Sequence, residues 1–259
     1  MPLKALITGA SSGIGLAFAE ALSRQGYALT LLARREQRLQ EIIGGLSQNP
    51  HQDRHQNQHR ALVADLTKPA DTERVCNDIA AEQYDLLINN AGAGIYKPFH
   101  DTSWPEIEAV TALNCTAVAK LSDAYLKSAK AGDALINVAS MVGFTPYPPA
   151  GVYGAAKAFV VSLSESLWHE YRARGIYVMA LCPGATDTNF FIAAGVDRNT
   201  RPPRSYMQSP EAVVDAGLRA LKARRQPTVI PGWHNKLFAV LMRLLSRKAL
   251  VNAVGKFSA

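Results

Sequence analysis

A glycine-rich turn between an apolar strand and an amphipathic helix, close to the start of the chain, limits the fold more than any other feature. Lys4–Thr8 is typical of a buried strand, and the turn Thr8–Gly15 follows it directly. We expect Gly9 to permit the tight turn, Gly13 to let a diphosphate approach the backbone, and Gly15 to let helix and strand pack closely. A helix starting here presents free N–H groups and its positive dipole end to phosphate. The turn therefore predicts dinucleotide binding.

Strand-like and helix-like segments alternate along the rest of the chain. The strand-like runs are Lys4–Thr8, Ala28–Ala33, Arg60–Ala64, Leu86–Asn89, Ala134–Ala139, Tyr177–Cys182 and Thr228–Ile230. The segments with helical periodicity are Ile14–Gln25, Glu36–Leu46, Ala70–Ala81, Trp104–Ala129, Gly154–Arg174 and Pro210–Arg224. The early strands are continuously apolar, as expected when helices cover both faces of a sheet. This pattern predicts a Rossmann-type, doubly wound α/β fold: one domain with a seven-stranded parallel sheet over residues 1–232.

The net charge of +7 does not indicate a nucleic-acid-binding protein, because the excess lies in one segment. From Ala216 to Ala259 there are nine Lys or Arg residues and no Asp or Glu, whereas the preceding part is close to neutral. No nucleic-acid-binding motif accompanies the basic segment. The three cysteines are widely spaced, and no signal peptide or apolar run of membrane-spanning length is evident, so we expect a cytoplasmic location.

A polar stretch at 47–60 interrupts the alternation, and we predict that it forms an insertion loop. His51, His55 and His59 recur every four residues, which on a helix would place them on one face. A metal site is one interpretation of that spacing. The other is a solvated insertion, which Pro50 and the Asn and Gln content favour. We therefore expect no metal.

The sequence resembles the short-chain dehydrogenase/reductase family. Besides the T-G-x-x-x-G-I-G turn, the family landmarks occur in order at strand ends. They are Ala64-Asp65-Leu66-Thr67, Asn89-Asn90-Ala91-Gly92, Asn114, Ser140, Tyr153-x-x-x-Lys157 and Pro183-Gly184. Ala33-Arg34-Arg35 and the segment Val229–Leu237 are similar to bacterial uncharacterised reductases, distantly related to hydroxysteroid dehydrogenases and ketoacyl reductases. The resemblance implies a nicotinamide-dependent oxidoreductase and a homodimer or homotetramer.

Tyr153 and Lys157 share one helix face, because they lie four residues apart. A tyrosine with a pKa near ~10 is a poor proton donor at neutral pH. A cation at ~4 Å in a medium of effective dielectric ~20 supplies roughly the 4 kcal/mol that a shift of three units requires. The family resemblance implies that Tyr153 is the general acid/base and that Lys157 holds the nicotinamide ribose. It also implies that Ser140 bonds the substrate oxygen and that Asn114 holds a relay water.

The predicted cofactor is NADP(H), because the residue at the end of strand two that would be acidic in an NAD-binding chain is Ala33. The guanidinium groups of Arg34 and Arg35 suit a 2′-phosphate, although they could equally begin a charged helix face. Ser12 could add a hydroxyl donor. The full predicted cofactor set, partly carried by the resemblance, is Gly9, Ser11, Ser12, Gly13, Ile14, Gly15, Arg34, Arg35, Asp65, Leu66, Asn89, Ala91, Gly92, Tyr153, Lys157, Pro183, Gly184, Thr186 and Thr188.

The predicted substrate pocket is apolar and indicates an uncharged carbonyl compound or the matching alcohol. Its residues are Ile95, Tyr96, Met141, Val142, Phe144, Tyr147, Phe190 and Phe191, with Lys97 the exception in charge. We expect residues 185–208 to form a substrate lid.

Residues 233–259 predict a basic, amphipathic helical segment with three alternative roles. It could pack on the body or at a subunit interface, cover the pocket, or contact an anionic membrane through residues 233–257.

Together these features predict an NADP-dependent reductase of an apolar ketone or aldehyde, working reversibly through Tyr153. The alternative from another class is a silent NADP(H)-binding sensor or scaffold, which the complete catalytic set opposes. A related epimerase or dehydratase would need an additional substrate domain. A hydrolase that uses Ser140 lacks a histidine and an acid partner at neighbouring strand ends.

Overall fold

The computed structural model describes residues 2–47, 59–196 and 201–258, and these form one parallel sheet with helices on both faces. The strands are β1 (Lys4–Thr8), β2 (Ala28–Ala33), β3 (Arg60–Val63), β4 (Leu86–Asn89), β5 (Ala134–Val138), β6 (Tyr177–Leu181) and β7 (Thr228–Val229). Their order is β3-β2-β1-β4-β5-β6-β7, and every neighbouring pair is parallel. The predicted fold class and the seven strands are confirmed, with strand ends differing by one residue at most.

The helices follow the strands in the order that the sequence pattern predicts. They are α1 (Gly13–Arg24), α2 (Glu36–Leu46), α3 (Pro69–Glu82), α4 (Trp104–Thr111), α5 (Val118–Ser128), α6 (Gly151–Tyr171), α7 (Phe190–Ala193), α8 (Pro210–Ala223), α9 (Trp233–Leu244) and α10 (Arg247–Ser258). From β1, the strand order runs to β2 and β3 on one side and to β4 through β7 on the other. A crevice opens at the carboxyl ends of the strands where this order reverses.

Both faces of the sheet are buried, which explains the continuously apolar strands. On β1, Ile7 belongs to a cluster with Phe18 of α1, whereas its neighbour Leu6 belongs to a second cluster with Tyr125 of α5. All four side chains are 1% exposed or less. Successive strand residues point to opposite faces, so each face needs its own apolar set. The glycine turn therefore follows a strand whose two faces are both packed in the core.

The long helix predicted over Trp104–Ala129 is divided by a π-helical turn, Ala112–Ala117. Asn114 lies inside this turn, and its side-chain amide donates to the carbonyl of Val110 at 3.0 Å. A regular α-helix would use that carbonyl for the backbone N–H of Asn114, so the side chain competes with the helical pattern. Periodicity alone could not predict the interruption, because the apolar positions on either side keep helical spacing.

His59 connects strand and helix within the described residues. Its Nδ1 accepts the Leu29 backbone N–H at 3.2 Å, and its Nε2 lies 3.1 Å from the Ser23 hydroxyl oxygen. Burial lowers the pKa of this imidazole. His51 and His55 lie outside the described residues, and the described ranges contain no cluster of three or more metal-ligating side chains.

The C-terminal helices meet the body in different ways. Leu250 and Val254 of α10 are buried, and this helix packs beside the turn that precedes α6. In contrast, α9 exposes an apolar face opposite its buried Ala239. The exposed residues of that face are Trp233, Leu237, Val240, Leu241 and Leu244. No described helix is long and apolar enough to cross a membrane. Contact of this face with a sister subunit or with anionic lipid stays a prediction.

Candidate active site

The glycine turn has no room for side chains at two of its positions. Gly9 has a positive φ of 67°, and a Cβ there would come within 2.9 Å of Ala91 Cα. A Cβ on Gly15 would collide with the Gly9 carbonyl oxygen and reach 2.5 Å from Asn90 Nδ2. Close packing at Gly15 is therefore with the turn and with the end of β4. At Gly13, whose φ is 55°, the position of a Cβ faces the Thr188 methyl group at 2.9 Å.

The start of α1 leaves its amide donors available to a ligand. Ser12 is the N-cap residue, but its side chain makes no capping hydrogen bond, and the first turn contains no acidic residue. The backbone N–H groups of the first turn then have no intrahelical acceptor and carry the positive end of the helix dipole. A glycine cradle followed by such a helix end fits a diphosphate group.

Asn90 ties the glycine turn to β4, a role that the sequence analysis missed. Its side-chain amide donates to Thr8 O at 2.9 Å and to Gly9 O at 3.2 Å. In return, the Thr8 hydroxyl accepts the backbone N–H groups of Asn90 and Ala91, each at 2.9 Å. The available signal was the second asparagine in a row after an apolar strand. Asn90 is thus a positioning residue for the turn.

The Asn89 side chain, predicted to line the cofactor, is buried in a polar chain between strands and helices. Its Nδ2 donates to Asn137 Oδ1 at 2.9 Å, and Asn137 in turn donates to the Ser164 hydroxyl at 3.0 Å. Ser164 then donates to Val160 O. These bonds connect β4 and β5 with α6. Asn137 and Ser164 were also missed, although an asparagine inside an apolar strand was a signal.

Ser140, Tyr153 and Lys157 come together where β5 meets α6. Ser140 directly follows β5, and its hydroxyl accepts the Val142 N–H at 3.4 Å and is hydrogen-bonded to Tyr153. The Lys157 ammonium donates to Val138 O at 2.8 Å and lies 5.8 Å from the centre of the Tyr153 ring. Tyr153 and Lys157 are 6% and 4% exposed, so solvent barely reaches either group.

Gly143 lets the turn after Ser140 approach α6 and was not predicted. A Cβ at this position would lie 2.8 Å from the Lys157 carbonyl oxygen, a backbone atom that cannot move aside. The turn Met141–Phe144 can therefore pack directly on the helix that carries Tyr153 and Lys157. The signal was a glycine three residues after Ser140.

The expected lowering of the Tyr153 pKa by Lys157 is not found in the protein alone. Burial raises the pKa of Tyr153, and the hydrogen bond with Ser140 only partly opposes this. Burial also lowers the pKa of Lys157 to about 8. The sequence argument assumed a cation at ~4 Å in a moderately polar medium, and it left out the cost of removing both groups from water. That desolvation is the larger effect here.

Asn114 points a buried carbonyl oxygen toward the same region as Lys157. Its amide nitrogen is bound by Ala93 O at 2.8 Å and by Val110 O, but Oδ1 accepts no hydrogen bond from the described residues. The position that a Cβ on Gly92 would take lies 2.8 Å from this oxygen and 3.4 Å from Lys157 Nζ. The Asn114 carbonyl oxygen and the Lys157 ammonium therefore both lie close to Gly92.

At the end of β2, the two arginines are exposed and free to meet a ligand. The side chains of Arg34 and Arg35 make no hydrogen bond or ion pair with the other described residues, although the Arg35 carbonyl accepts the Leu39 N–H at the start of α2. Burial raises the pKa of Asp65, which lies next to these arginines. Hydrogen bonds from the Thr67 hydroxyl and amide and the charge of Arg34 outweigh this effect and hold the pKa below its usual value. The side chain of Leu66, also predicted to touch the cofactor, lies in the core, so any contact with the cofactor would be made by its backbone.

Beyond Pro183, whose carbonyl accepts the Met141 N–H, the chain runs along the site. Thr186 is buried and its hydroxyl donates to Gly184 O at 3.0 Å. Thr188 packs on Gly13 as described above. Of the two predicted residues in the 185–208 segment, Thr188 therefore lies next to the glycine turn, whereas Thr186 bonds back to Gly184.

Tyr153 belongs to a cluster of five aromatic rings. The Tyr153 ring centre lies 5.3 Å from Phe190 and 6.0 Å from Tyr96, and Tyr96 lies 6.0 Å from both Tyr147 and Phe191. Phe144, in contrast, packs against the small core cluster of α6 and β6 rather than in this group. Met141 is buried, and Ile95 and Val142 are half-buried beside the cluster in sequence.

Lys97, the charged residue of the predicted pocket, is neutralised by Glu106. Its ammonium lies 2.7 and 2.8 Å from the two carboxylate oxygens. Together with the Ser103 hydroxyl and amide, Lys97 lowers the pKa of Glu106 to about 2. The pair leaves the aromatic cluster without a free cation at this position.

Comparison with known proteins agrees with this geometry. The family model described as short chain dehydrogenase matches residues 4–199. A short-chain dehydrogenase from Sphingobium yanoikuyae, solved in complex with NADPH, is 35% identical over 95% of this chain and 96% of that chain, with a TM-score of 0.81. The bulky-bulky ketone specific alcohol dehydrogenase of Comamonas testosteroni is 31% identical over the same shares, with a TM-score of 0.77.

Among curated proteins, a very-long-chain 3-oxoacyl-CoA reductase of Danio rerio is 25% identical over 93% of this chain and 76% of its own length. The chain therefore belongs to the short-chain dehydrogenase/reductase family and is an oxidoreductase. The resemblance inferred from the sequence motifs is confirmed.

Proposed function

We propose that this protein is an NADP(H)-dependent reductase of apolar ketones or aldehydes, reversible as a secondary-alcohol dehydrogenase, with Tyr153 as its general acid/base. The observation that carries the proposal is the convergence of Ser140, Tyr153, Lys157 and Asn114 at the carboxyl end of the sheet. The glycine cradle lies at the same edge, two strands away from Ser140.

The residues present fit a nicotinamide dinucleotide phosphate. The glycine turn and the start of α1 suit its diphosphate, and the unpaired Arg34 suits a 2′-phosphate through a bidentate guanidinium contact. Asp65 would lie at the adenine, Lys157 at the ribose hydroxyls and Thr188 at the carboxamide. When bound, NADPH supplies the hydride that reduces a carbonyl carbon. The relative from Sphingobium yanoikuyae, solved with NADPH, supports this assignment.

The chain itself supplies the proton. Burial raises the pKa of Tyr153, which keeps its hydroxyl protonated at neutral pH but also makes it a weaker acid. It can therefore give up its proton only to the strongly basic alkoxide that develops on the substrate oxygen, which Ser140 also contacts. Lys157, with a pKa near 8, can in turn give up a proton close to neutral pH. The Asn114 carbonyl oxygen accepts no hydrogen bond from the described residues, and both it and the Lys157 ammonium lie close to Gly92. A water molecule bound to this oxygen would complete a proton relay through Lys157 to Tyr153.

The aromatic cluster supports an uncharged, apolar substrate. Tyr96 and Phe190 lie next to the Tyr153 ring, and Tyr147 and Phe191 extend the cluster through Tyr96. Glu106 balances the charge of Lys97, the cation predicted in this pocket. The relative from Comamonas testosteroni is specific for bulky-bulky ketones, which supports a ketone substrate for this protein. We therefore place bulky apolar ketones first in the screen.

The test is a fluorescence titration with NADPH and NADH, followed by NADPH oxidation assays on a panel of apolar ketones and aldehydes. We expect Tyr153→Phe to keep the NADPH dissociation constant within about threefold, because the phenol proton does not hold the cofactor. Turnover should fall by ~100-fold to 10,000-fold, the usual contribution of a positioned general acid. Tyr171→Phe, at the far end of the same helix, is the matched control.

Activity of Tyr153→Phe within tenfold of the wild type would contradict the mechanism. Tight NADPH binding without turnover on any carbonyl compound would favour the alternative, a cofactor-binding sensor or scaffold. Failure to bind either nucleotide would contradict the interpretation of the glycine turn.

A further inference from the structure

The two ends of the 185–208 segment are joined beside the active site. Thr186 and Gln208 form a parallel bridge. The Gln208 N–H donates to Ala185 O, and the Asp187 N–H donates to Gln208 O, both at 2.9 Å. Gln208 thus bonds with its backbone to residues on either side of Thr186. Thr188 and Phe190 lie near the start of the chain that runs from Asp187 to Gln208.

A side chain from α9 closes this junction. Asn235, in the first turn of α9, donates from Nδ2 to Gln208 Oε1 at 3.1 Å and to Pro231 O at 2.9 Å. Two glycines make room for the pair. A Cβ on Gly184 would lie 2.6 Å from Asn235 Nδ2, and a Cβ on Gly232 would lie 2.5 Å from Gln208 Nε2. We call Gln208 and Asn235 the amide clasp.

The residues that follow the clasp contact both halves of the active site. Thr188 lies 2.9 Å from the position of a Cβ on Gly13 in the glycine turn, and its hydroxyl accepts the Phe190 N–H at 3.2 Å. The Phe190 ring packs at 5.3 Å from the Tyr153 ring and against Gly94. A shift of the junction would therefore move the groups that face the cofactor site and the proton donor together.

We propose that Gln208 and Asn235 are positioning residues, which hold Thr188 and Phe190 against the glycine turn and Tyr153. Through them α9 becomes part of the catalytic unit rather than an appended segment. The clasp acts on the active site only if the proposed reductase function holds. Neither residue contacts the reacting groups, so its effect reaches them through the 185–188 backbone.

The test compares Asn235→Ala, Asn235→Asp and Gln208→Ala with Gln208→Glu. The first three lose the amide contact, because aspartate cannot donate and alanine has no polar group. Glutamate at 208 keeps an oxygen that accepts from Asn235. We expect the NADPH dissociation constant to rise about tenfold in the first three variants, as for the loss of one buried hydrogen bond. Gln208→Glu should stay within about threefold. Asn252→Ala, exposed on α10, is the control.

A measurement without cofactor or substrate tests the clasp on its own. We expect amide hydrogen exchange in peptides covering 185–190 to accelerate in Asn235→Ala and to stay unchanged in Asn252→Ala. Unchanged exchange in Asn235→Ala overturns the proposal. Faster exchange together with wild-type NADPH affinity and turnover also overturns it, because the clasp would then be purely structural. A wild-type protein that binds NADPH but reduces no carbonyl contradicts the proposed function, whereas the exchange result still decides whether the clasp exists.

Discussion

The two sides of the active site are built from the same kind of contact but at very different distances along the chain. On one side, the glycine turn packs on its own backbone and on Asn90 and Ala91, which follow β4. Gly15 faces the Gly9 carbonyl oxygen, six residues away. On the other side, Gly184 faces the side chain of Asn235, more than fifty residues later. Close packing against backbone leaves a recognisable local spacing, whereas close packing against a distant side chain leaves none.

The two sides also differ in how far the atoms opposite each glycine can move to accommodate a side chain. The atoms opposite Gly9 and Gly15 include backbone, which is fixed by β1 and by the Asn90 bonds. The atoms opposite Gly184 and Gly232 belong to the amide side chains of the clasp, and these can rotate. Glycine is thus required on the first side to preserve the fold, whereas Gly184 on the second side preserves the arrangement of the clasp; Gly232 also needs glycine for its positive φ of 82°.

The sharpest way to break this comparison is Gly15→Ala. We expect it to lower the free energy of unfolding by about 2–3 kcal/mol or more, because the Gly9 carbonyl cannot move aside. The melting temperature should fall by roughly 5–10 °C. The control is Gly44→Ala on exposed α2, where a Cβ meets nothing within 4 Å and should stabilise by about 0.5–1 kcal/mol. Both variants are compared by thermal unfolding. A Gly15→Ala variant as stable as Gly44→Ala would contradict the comparison.

Arg34→Ala tests whether the glycine-turn side also sets cofactor preference. Losing a charged, bidentate contact worth ~1.5–3 kcal/mol should weaken NADPH binding roughly 10–150-fold and leave NADH binding unchanged. Fluorescence titration with both nucleotides measures the ratio. Arg38→Ala, which removes the Arg38–Glu41 pair on the neighbouring helix, is the control. Equal weakening of both nucleotides would mean that Arg34 supports the fold and does not recognise the 2′-phosphate.

The smallest effect on stability is expected for Gly184→Ala. Its Cβ would displace the Asn235 amide, which can rotate, so the cost should stay below about 1.5 kcal/mol. The displaced amide would release Gln208, and NADPH affinity should then fall about as much as in Asn235→Ala. Comparing melting temperature with NADPH affinity separates the two effects. A loss of stability as large as that of Gly15→Ala would show that the two sides are equally rigid.

Much of the catalytic arrangement could be predicted because it follows strand ends. Ser140 follows β5 directly, and Tyr153 and Lys157 lie one helical turn apart on α6, so spacing and topology place them together. In a parallel sheet, the carboxyl ends of strands meet at one edge. The strands themselves were predictable to within a residue, because burial on both faces forces a continuous apolar run.

The electrostatics of the same residues could not be predicted in this way. Spacing shows that Lys157 is near Tyr153, but only the structure shows that both are almost fully buried. Burial opposes the charged form of each group, so it raises the pKa of Tyr153 and lowers that of Lys157 to about 8. Likewise, Asn89 and Leu66 belong to the family motifs in sequence, yet their side chains point into the interior.

The apolar runs, the glycine spacing and the motif residues were sufficient to predict the parallel sheet, the family and the candidate catalytic residues, since each depends on local periodicity or on strand ends. The tertiary structure alone decided the π-helical turn at Asn114, the pairing of Lys97 with Glu106, and the joining of Gln208 to Asn235. These features depend on which side chains meet after the chain has packed, and a hydrogen bond between residues distant in sequence carries no periodic signal.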